Sequence, residues 1–240
     1  MENINEVIEF YKQDIPDKHK TIYECFTESL NNNPTLLNQY NSTPGFGEIA
    51  FSWNWYLLVK DMPENFKFLE IGVYKGRILA LIKLLSNIEF FHKNVEIYGV
   101  TPLNIATDKY STYEECDYLK CIKQSYSKFN LNFDTTTIIK GFSQEESIIK
   151  KTKELNYDII FIDGCHDYEV VCLDIKNYRE MVNINGYLVL DDASSLLENS
   201  YGIFLGHYEV GKAIQDVLEK DPRFIHLYAV GHNRVWKRTS

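Results

Sequence analysis

The 240-residue chain carries 34 acidic against 25 basic side chains, a formal charge of −9 at neutral pH. Its densest basic run, Lys150, Lys151 and Lys153, is flanked by Glu145, Glu146 and Glu154 and reads as a solvated helix face, so a nucleic-acid backbone is not an expected partner. The hydrophobic fraction of 45% suffices for one large core, and no stretch has the uninterrupted apolar length of a membrane span.

Residues 1–60 read as a helical extension. Ile4, Val7, Ile8 and Tyr11 share one helical face, and Ile22, Phe26 and Leu30 repeat the pattern before the break at Asn31–Pro34. A turn-rich stretch follows, Ser42-Thr43-Pro44-Gly45-Phe46-Gly47, and then an aromatic segment with Trp53, Trp55 and Tyr56. Glycines beside large apolar rings suit a lid or wall over a site, although core packing explains the tryptophans equally well. From residue 61 the period changes to that of a wound α/β core, continuous with the extension. Strands are expected at Phe68–Ile71, Val95–Val100, Thr135–Ile139, Tyr157–Ile162 and Tyr187–Leu190. Helices are expected at Ile78–Leu85, Ser143–Lys153, Glu169–Val182 (closed by Asn183–Gly186) and Val210–Leu218, with a further polar helix between residues 101 and 130. Phe224–Val230 and Arg234–Lys237, joined through Gly231-His232-Asn233, suit a terminal antiparallel hairpin. The predicted fold is therefore a Rossmann-like, mostly parallel sheet with helices on both faces. In such sheets ligands bind at the carboxyl ends of the strands, where the strand order reverses.

Two constellations fall at those ends. The first is Glu70-Ile71-Gly72-Val73-Tyr74-Lys75-Gly76, a strand end and turn that lacks the middle glycine needed to admit a pyrophosphate; bulky Val73 and Tyr74 argue for a cofactor without a diphosphate. Glu70, ending an apolar strand, needs a partner such as an ammonium. The second joins Asp163, after the fourth strand, with Asp191 and Asp192, after the fifth. Three carboxylates brought together repel one another, and a hard divalent cation bound through oxygen, magnesium first, relieves that repulsion. His166, three residues past Asp163, is placed to take a proton near neutral pH. Cysteines 25, 116, 121, 165 and 172 have no zinc spacing, and Met1–Phe10 has no secretory pattern, so a reducing, cytoplasmic compartment is expected.

Taken in order, Glu-Ile-Gly-Val-Tyr-Lys-Gly, Phe-Ile-Asp-Gly-Cys-His-Asp-Tyr with Asp174 downstream, and Asn-Gly-Tyr-Leu-Val-Leu-Asp-Asp resemble the class I S-adenosylmethionine-dependent methyltransferases, specifically the macrocin and antibiotic-sugar O-methyltransferase group. Gly206–Ala213 is similar to the segment leading into that group's late helix. The resemblance covers roughly residues 45–237. It implies that Glu70, Gly72, Gly76, Thr101, Ser143 and Asp163 lie on the cofactor side, that Asp163, Asp191 and Asp192 hold the metal, and that His166 is the base, with Asp163 beside it in the catalytic set. One departure stands out: the group carries an acid for the cofactor ribose after the second strand, where this chain has Thr101, leaving Asn104 or Asp108 to compensate. The implied reaction is metal-assisted methyl transfer from S-adenosylmethionine to a hydroxyl of a small molecule, with a sugar as one acceptor class. A cofactor-binding protein without turnover and a metal-dependent hydrolase are the alternatives, and a homo-oligomer stays open.

Overall fold

The computed structural model describes residues 1–90, 92–197 and 202–240. It opens with four helices, α1 (Ile4–Tyr11), α2 (Lys18–Asn31), α3 (Pro34–Ser42) and α4 (Ile49–Asp61). Asn3 and Asn33 cap α1 and α3 by accepting from Glu6 N and Leu36 N, and Pro34 occupies the start of α3, where no amide partner is needed. Val7, Ile22, Phe26 and Leu30 turn inward onto α4, which is buried around most of its circumference. Trp55 packs edge-on against Phe68 and Phe161 of the sheet, with ring centroids 5.7 and 4.9 Å away, and Trp53 stacks on Tyr56. Both tryptophans are therefore core residues.

The remaining chain winds one seven-stranded sheet. In chain order it forms β1 (Asn65–Ile71), α5 (Arg77–Leu84, extended by a π turn), β2 (Asn94–Thr101), α6 (Tyr118–Ser127), β3 (Thr136–Lys140), α7 (Glu146–Thr152), β4 (Tyr157–Ile162), α8 (Tyr168–Tyr178), β5 (Val182–Leu190), α9 (Tyr208–Ala213, likewise extended), β6 (Phe224–Val230) and β7 (Asn233–Arg238). The spatial order is β3-β2-β1-β4-β5-β7-β6, parallel except for β7, which runs antiparallel to both neighbours. The expected mostly parallel sheet and terminal hairpin are both present. Alternation along the strands builds two cores. Phe68, Ile97, Ile159, Phe161, Tyr187 and Val235 face the N-terminal helices and α5, whereas Leu69, Ile160, Ile162, Leu188 and Trp236 face α8 and α9.

One boundary differs from expectation. Asn183–Gly186 belongs to β5 instead of ending the preceding helix. Asn185 takes φ +69°, and the register of β5 on β4 shifts between Tyr157 and Ile159. The turn-forming residues mark a bulge inside the strand, stabilised by Asn183 Nδ2 donating to Asp158 at 2.8 Å. Among the described residues no helix is long and apolar enough to cross a membrane.

Candidate active site

The chain leaves β1 toward β2 on one side and returns to β4 on the other, so the strand order reverses between β1 and β4. The ladder continues one residue past each strand there. Asp163 N donates to Ile71 O at 2.8 Å, and Asp191 N donates to Ile162 O at 3.0 Å, which sets both acids side by side at the rim. Gly72 lies opposite with φ +98°, and a Cβ on it would penetrate the Asp163 carbonyl. Gly76, φ +77°, comes so close to Ile122 that a Cβ would lie 3.0 Å away, so its role is to admit α6.

Two adjoining cavities open at this edge, with Gly72, Tyr74, Tyr113 and Asp163 as shared walls. The first, about 280 Å³, is lined by the Gly72 turn, by Thr101 and Asn104 after β2, and by Phe142, Ser143 and Gln144 after β3. Thr101 is buried, and its hydroxyl accepts from Leu103 N at 3.3 Å. Asp108 lines the same cavity, with its carboxylate engaged by neighbouring groups. One of its oxygens accepts from Tyr110 N and Ser111 N at 2.8 and 2.7 Å, and the other accepts from His166 N at 3.0 Å and meets its Nδ1 at 2.6 Å.

The second cavity, about 540 Å³, holds Glu70, Asp163, His166, Asp191, Asp192 and His232, with Gly45–Glu48, Tyr110 and Phe204 on its outer walls. Glu70 is 3% exposed and its Oε2 has no partner. Burial, reinforced by the charge of Asp191, raises its pKa to about 8. Asp163 and Asp191 share a hydrogen bond. Burial and the neighbouring Asp191 and Glu70 drive Asp163 upward. At Asp191 burial pushes the same way, but the His232 imidazole outweighs it and holds the carboxyl down.

His166 is clamped at both nitrogens, with Nδ1 on Asp108 and Nε2 2.9 Å from Asp192 Oδ2. Burial alone would lower its pKa; the bonds and charges of Asp192 and Asp108 overcome it and raise the value to about 8. The two carboxylates thus favour the protonated ring. His232 is opposed by burial in the same way and raised to about 9 by Asp191, Asp192 and Glu48. Asp192 itself sits at φ +50°, a left-handed conformation that non-glycine residues adopt at a cost.

Among the described residues, histidine and acid donor atoms lie within 4.8 Å of one another in two groups, His166–Asp192–His207 and Asp191–Asp192–His232; Asp191 and Asp192 of the three acids read from the sequence are in them and Asp163 is not. Asp108, His207, His232 and Glu48 are additions that no periodicity marks. Gly206-His207 and Gly231-His232, each a glycine that turns the chain just before an imidazole, are the only local signal for two of them.

Residues 69–193, slightly more than half of the chain, match the family model described as a methyltransferase domain, and the chain belongs to that family. An uncharacterized protein of Acanthamoeba polyphaga mimivirus is 31% identical over 131 residues, 54% of this chain and 52% of its own, so the match spans about half of that relative. Solved structures share the fold. The O-methyltransferase NovP aligns with TM-score 0.60 at 12% identity over 92% of this chain and 98% of its own. The calicheamicin methyltransferase CalS11 gives 0.58 at 16% over 96% of each, and the S-adenosylhomocysteine-bound Podospora anserina methyltransferase PaMTH1 gives 0.56 at 15% over 99% and 94%. The architecture is that of the class I S-adenosylmethionine-dependent methyltransferases.

Proposed function

We propose that the chain transfers the methyl group of S-adenosylmethionine to a hydroxyl of a small molecule, with a sugar or glycoside as the favoured acceptor class. The observation that carries the donor assignment is Glu70: a buried carboxyl with one unpartnered oxygen, beside a turn from which Gly72 keeps every side-chain atom away. An α-ammonium satisfies that oxygen. Thr101, Asn104 and Ser143 line the remainder of the first cavity, where the nucleoside would lie. With one oxygen of Asp108 on Tyr110 N and Ser111 N and the other on His166, the ribose receives mainly neutral hydrogen bonds from this wall, which predicts a weaker hold than a free carboxylate provides.

The acceptor belongs in the second cavity, which His166 lines. Asp108 fixes the ring by taking Nδ1, so Nε2, which Asp192 Oδ2 engages at 2.9 Å, is the atom that would receive the acceptor proton once the ring is neutral and gives up that contact. The acceptor oxygen forms its bond to the methyl carbon as the carbon–sulfur bond breaks, and the proton leaves on His166. Asp191 and Asp192, with Asp163 adjacent, are the residues for a divalent cation; the unpartnered Asp192 Oδ1 fits that assignment. Such a cation lowers the pKa of a bound hydroxyl and favours its alkoxide. Phe46, exposed and stacked on Tyr74 at 5.1 Å, is the ring of the N-terminal extension that meets the acceptor. The sugar class rests on the fold shared with CalS11, described as a TDP-rhamnose 3'-O-methyltransferase, and on the aromatic walls. A reducing cytoplasm is the compartment proposed, a reading that the unpaired cysteines support.

The test is a panel of sugar-bearing and vicinal-diol acceptors assayed for S-adenosylhomocysteine release, with and without chelator. With the best acceptor, His166→Ala should lower turnover roughly 10²- to 10⁴-fold while leaving S-adenosylhomocysteine binding intact. Unchanged turnover in that variant removes His166 as the base.

A further inference from the structure

We infer that the cation of this site is held by an imidazole as well as by carboxylates, through His232 Nε2 with Asp191 and Asp192, and that it is therefore a borderline transition-metal dication such as Mn²⁺ in preference to Mg²⁺. The inference rests on the metal-assisted reading above. It starts from the β6–β7 turn. Because β7 lies antiparallel beside β5, that turn folds over the end of β5, and Ala193 N donates to His232 O at 2.7 Å, pinning the histidine next to the acidic pair. His232 Nε2 lies 3.2 Å from Asp191 Oδ1 and 3.9 Å from Asp192 Oδ1, and one donor atom from each of the three falls within a common 4.8 Å.

The ligand geometry is prepared on every side. His232 is 6% exposed and Asp192 7%, and Asp192 Oδ1 accepts no hydrogen bond. The His232 ring is held edge-on by Phe51 at 4.5 Å and by Phe204 at 5.3 Å. Asn233 Nδ2 donates to Asp191 Oδ1 and orients that carboxylate. On the far side of the ring, Nδ1 is buried without a partner, and so is Glu48 Oε2, which lies 2.5 Å from where a Cβ of Gly231 would stand. A metal-bound histidine characteristically gives its second N–H to a carboxylate. Glu48, from the segment that enters α4 and lies against the same turn, would supply that carboxylate by closing on Nδ1, a bond that the two atoms do not make in this structure. Two oxygens and one nitrogen suit a first-row dication better than magnesium, which prefers an all-oxygen shell; manganese, at the weak end of that affinity order, is the member that also favours carboxylates.

Chelator-stripped protein is titrated calorimetrically with Mn²⁺ and with Mg²⁺, without donor or acceptor, and the Mn²⁺ form is examined by electron spin-echo modulation for imidazole nitrogen. Mn²⁺ should bind at least tenfold more tightly than Mg²⁺ and show a coordinated nitrogen that disappears in His232→Ala and His232→Asn but persists in His207→Ala. Glu48→Gln should weaken Mn²⁺ binding roughly 10- to 100-fold with the nitrogen signal retained. Mg²⁺ binding as tight as Mn²⁺, a nitrogen signal that survives both His232 variants, or no uptake of either metal overturns the inference. S-adenosylhomocysteine binding is measured on the same samples. If it persists while the metal result fails, only this inference falls; if wild-type protein binds none, the methyl-transfer reading fails.

Discussion

Glu70 offers the most quantitative test of the donor site. Without ligand its pKa is about 8, set by burial and then by Asp191, so the carboxyl is mostly neutral at pH 7. An arriving ammonium requires it ionised. At pH 6.5 the deprotonation costs about 1.36 × 1.5, or roughly 2 kcal/mol, so S-adenosylhomocysteine should bind about 30-fold more weakly than at pH 8.5 or above. Binding below pH 8 should release close to one proton, measurable by calorimetry in two buffers of different ionisation enthalpy. Glu70→Gln removes both the charge and the titration. Its affinity should fall by roughly 1.5–3 kcal/mol at pH 8.5, and the pH slope should flatten between 6.5 and 8.5. An affinity in Glu70→Gln equal to wild type, or a wild-type affinity that does not rise over that range, refutes the pairing.

Gly72→Ala should be more damaging than Gly202→Ala. Both positions have positive φ, but a Cβ at Gly72 collides with the Asp163 backbone, while one at Gly202 meets no described residue within 4 Å. The strain common to both is about 1–2 kcal/mol; only Gly72→Ala should also lose S-adenosylhomocysteine binding, and equal binding in the two variants would contradict the close approach. Asp174 is raised to about 6 by burial, Gln144 and Ser143 partly opposing it. A carboxyl whose folded pKa exceeds its unfolded value burdens the fold as pH climbs from about 4 to about 6, and the burden is complete above that, up to about 3 kcal/mol. Asp174→Asn should therefore melt several degrees higher than wild type at pH 7.5 and at the same temperature near pH 4; the same difference at both pH values would locate its origin elsewhere.

The strands that carry the site were legible because apolar runs end abruptly in acids. Tyr157–Ile162 before Asp163 and Phe224–Val230 before Gly231 have the boundaries their composition indicates. Glu70, Gly72 and the Asp191–Asp192 pair reach one rim because parallel strands bring their ends to one edge, a rule that needs no coordinates. His232 and Glu48 escape the same logic. One lies in a hairpin turn and the other before a helix, some 180 residues apart in the chain, and only the return of β7 beside β5 brings the turn back to the acids. Asp108 shows another limit: its sequence position suited a ribose, and the structure commits it to His166. Trp53 and Trp55 illustrate a third, since a dense aromatic helix reads the same whether it packs inward or covers a ligand.

The most direct test is a crystal structure of the protein grown with saturating S-adenosylhomocysteine. The expected density places the amino acid end at Glu70 and the Gly72 turn, the nucleoside between Thr101 and Ser143, and the sulfur at the boundary facing His166. Density for the ligand away from Glu70 and the Gly72 turn, or the first cavity filled only by water under saturating conditions, would contradict the assignment of this strand edge as a methyl-donor site.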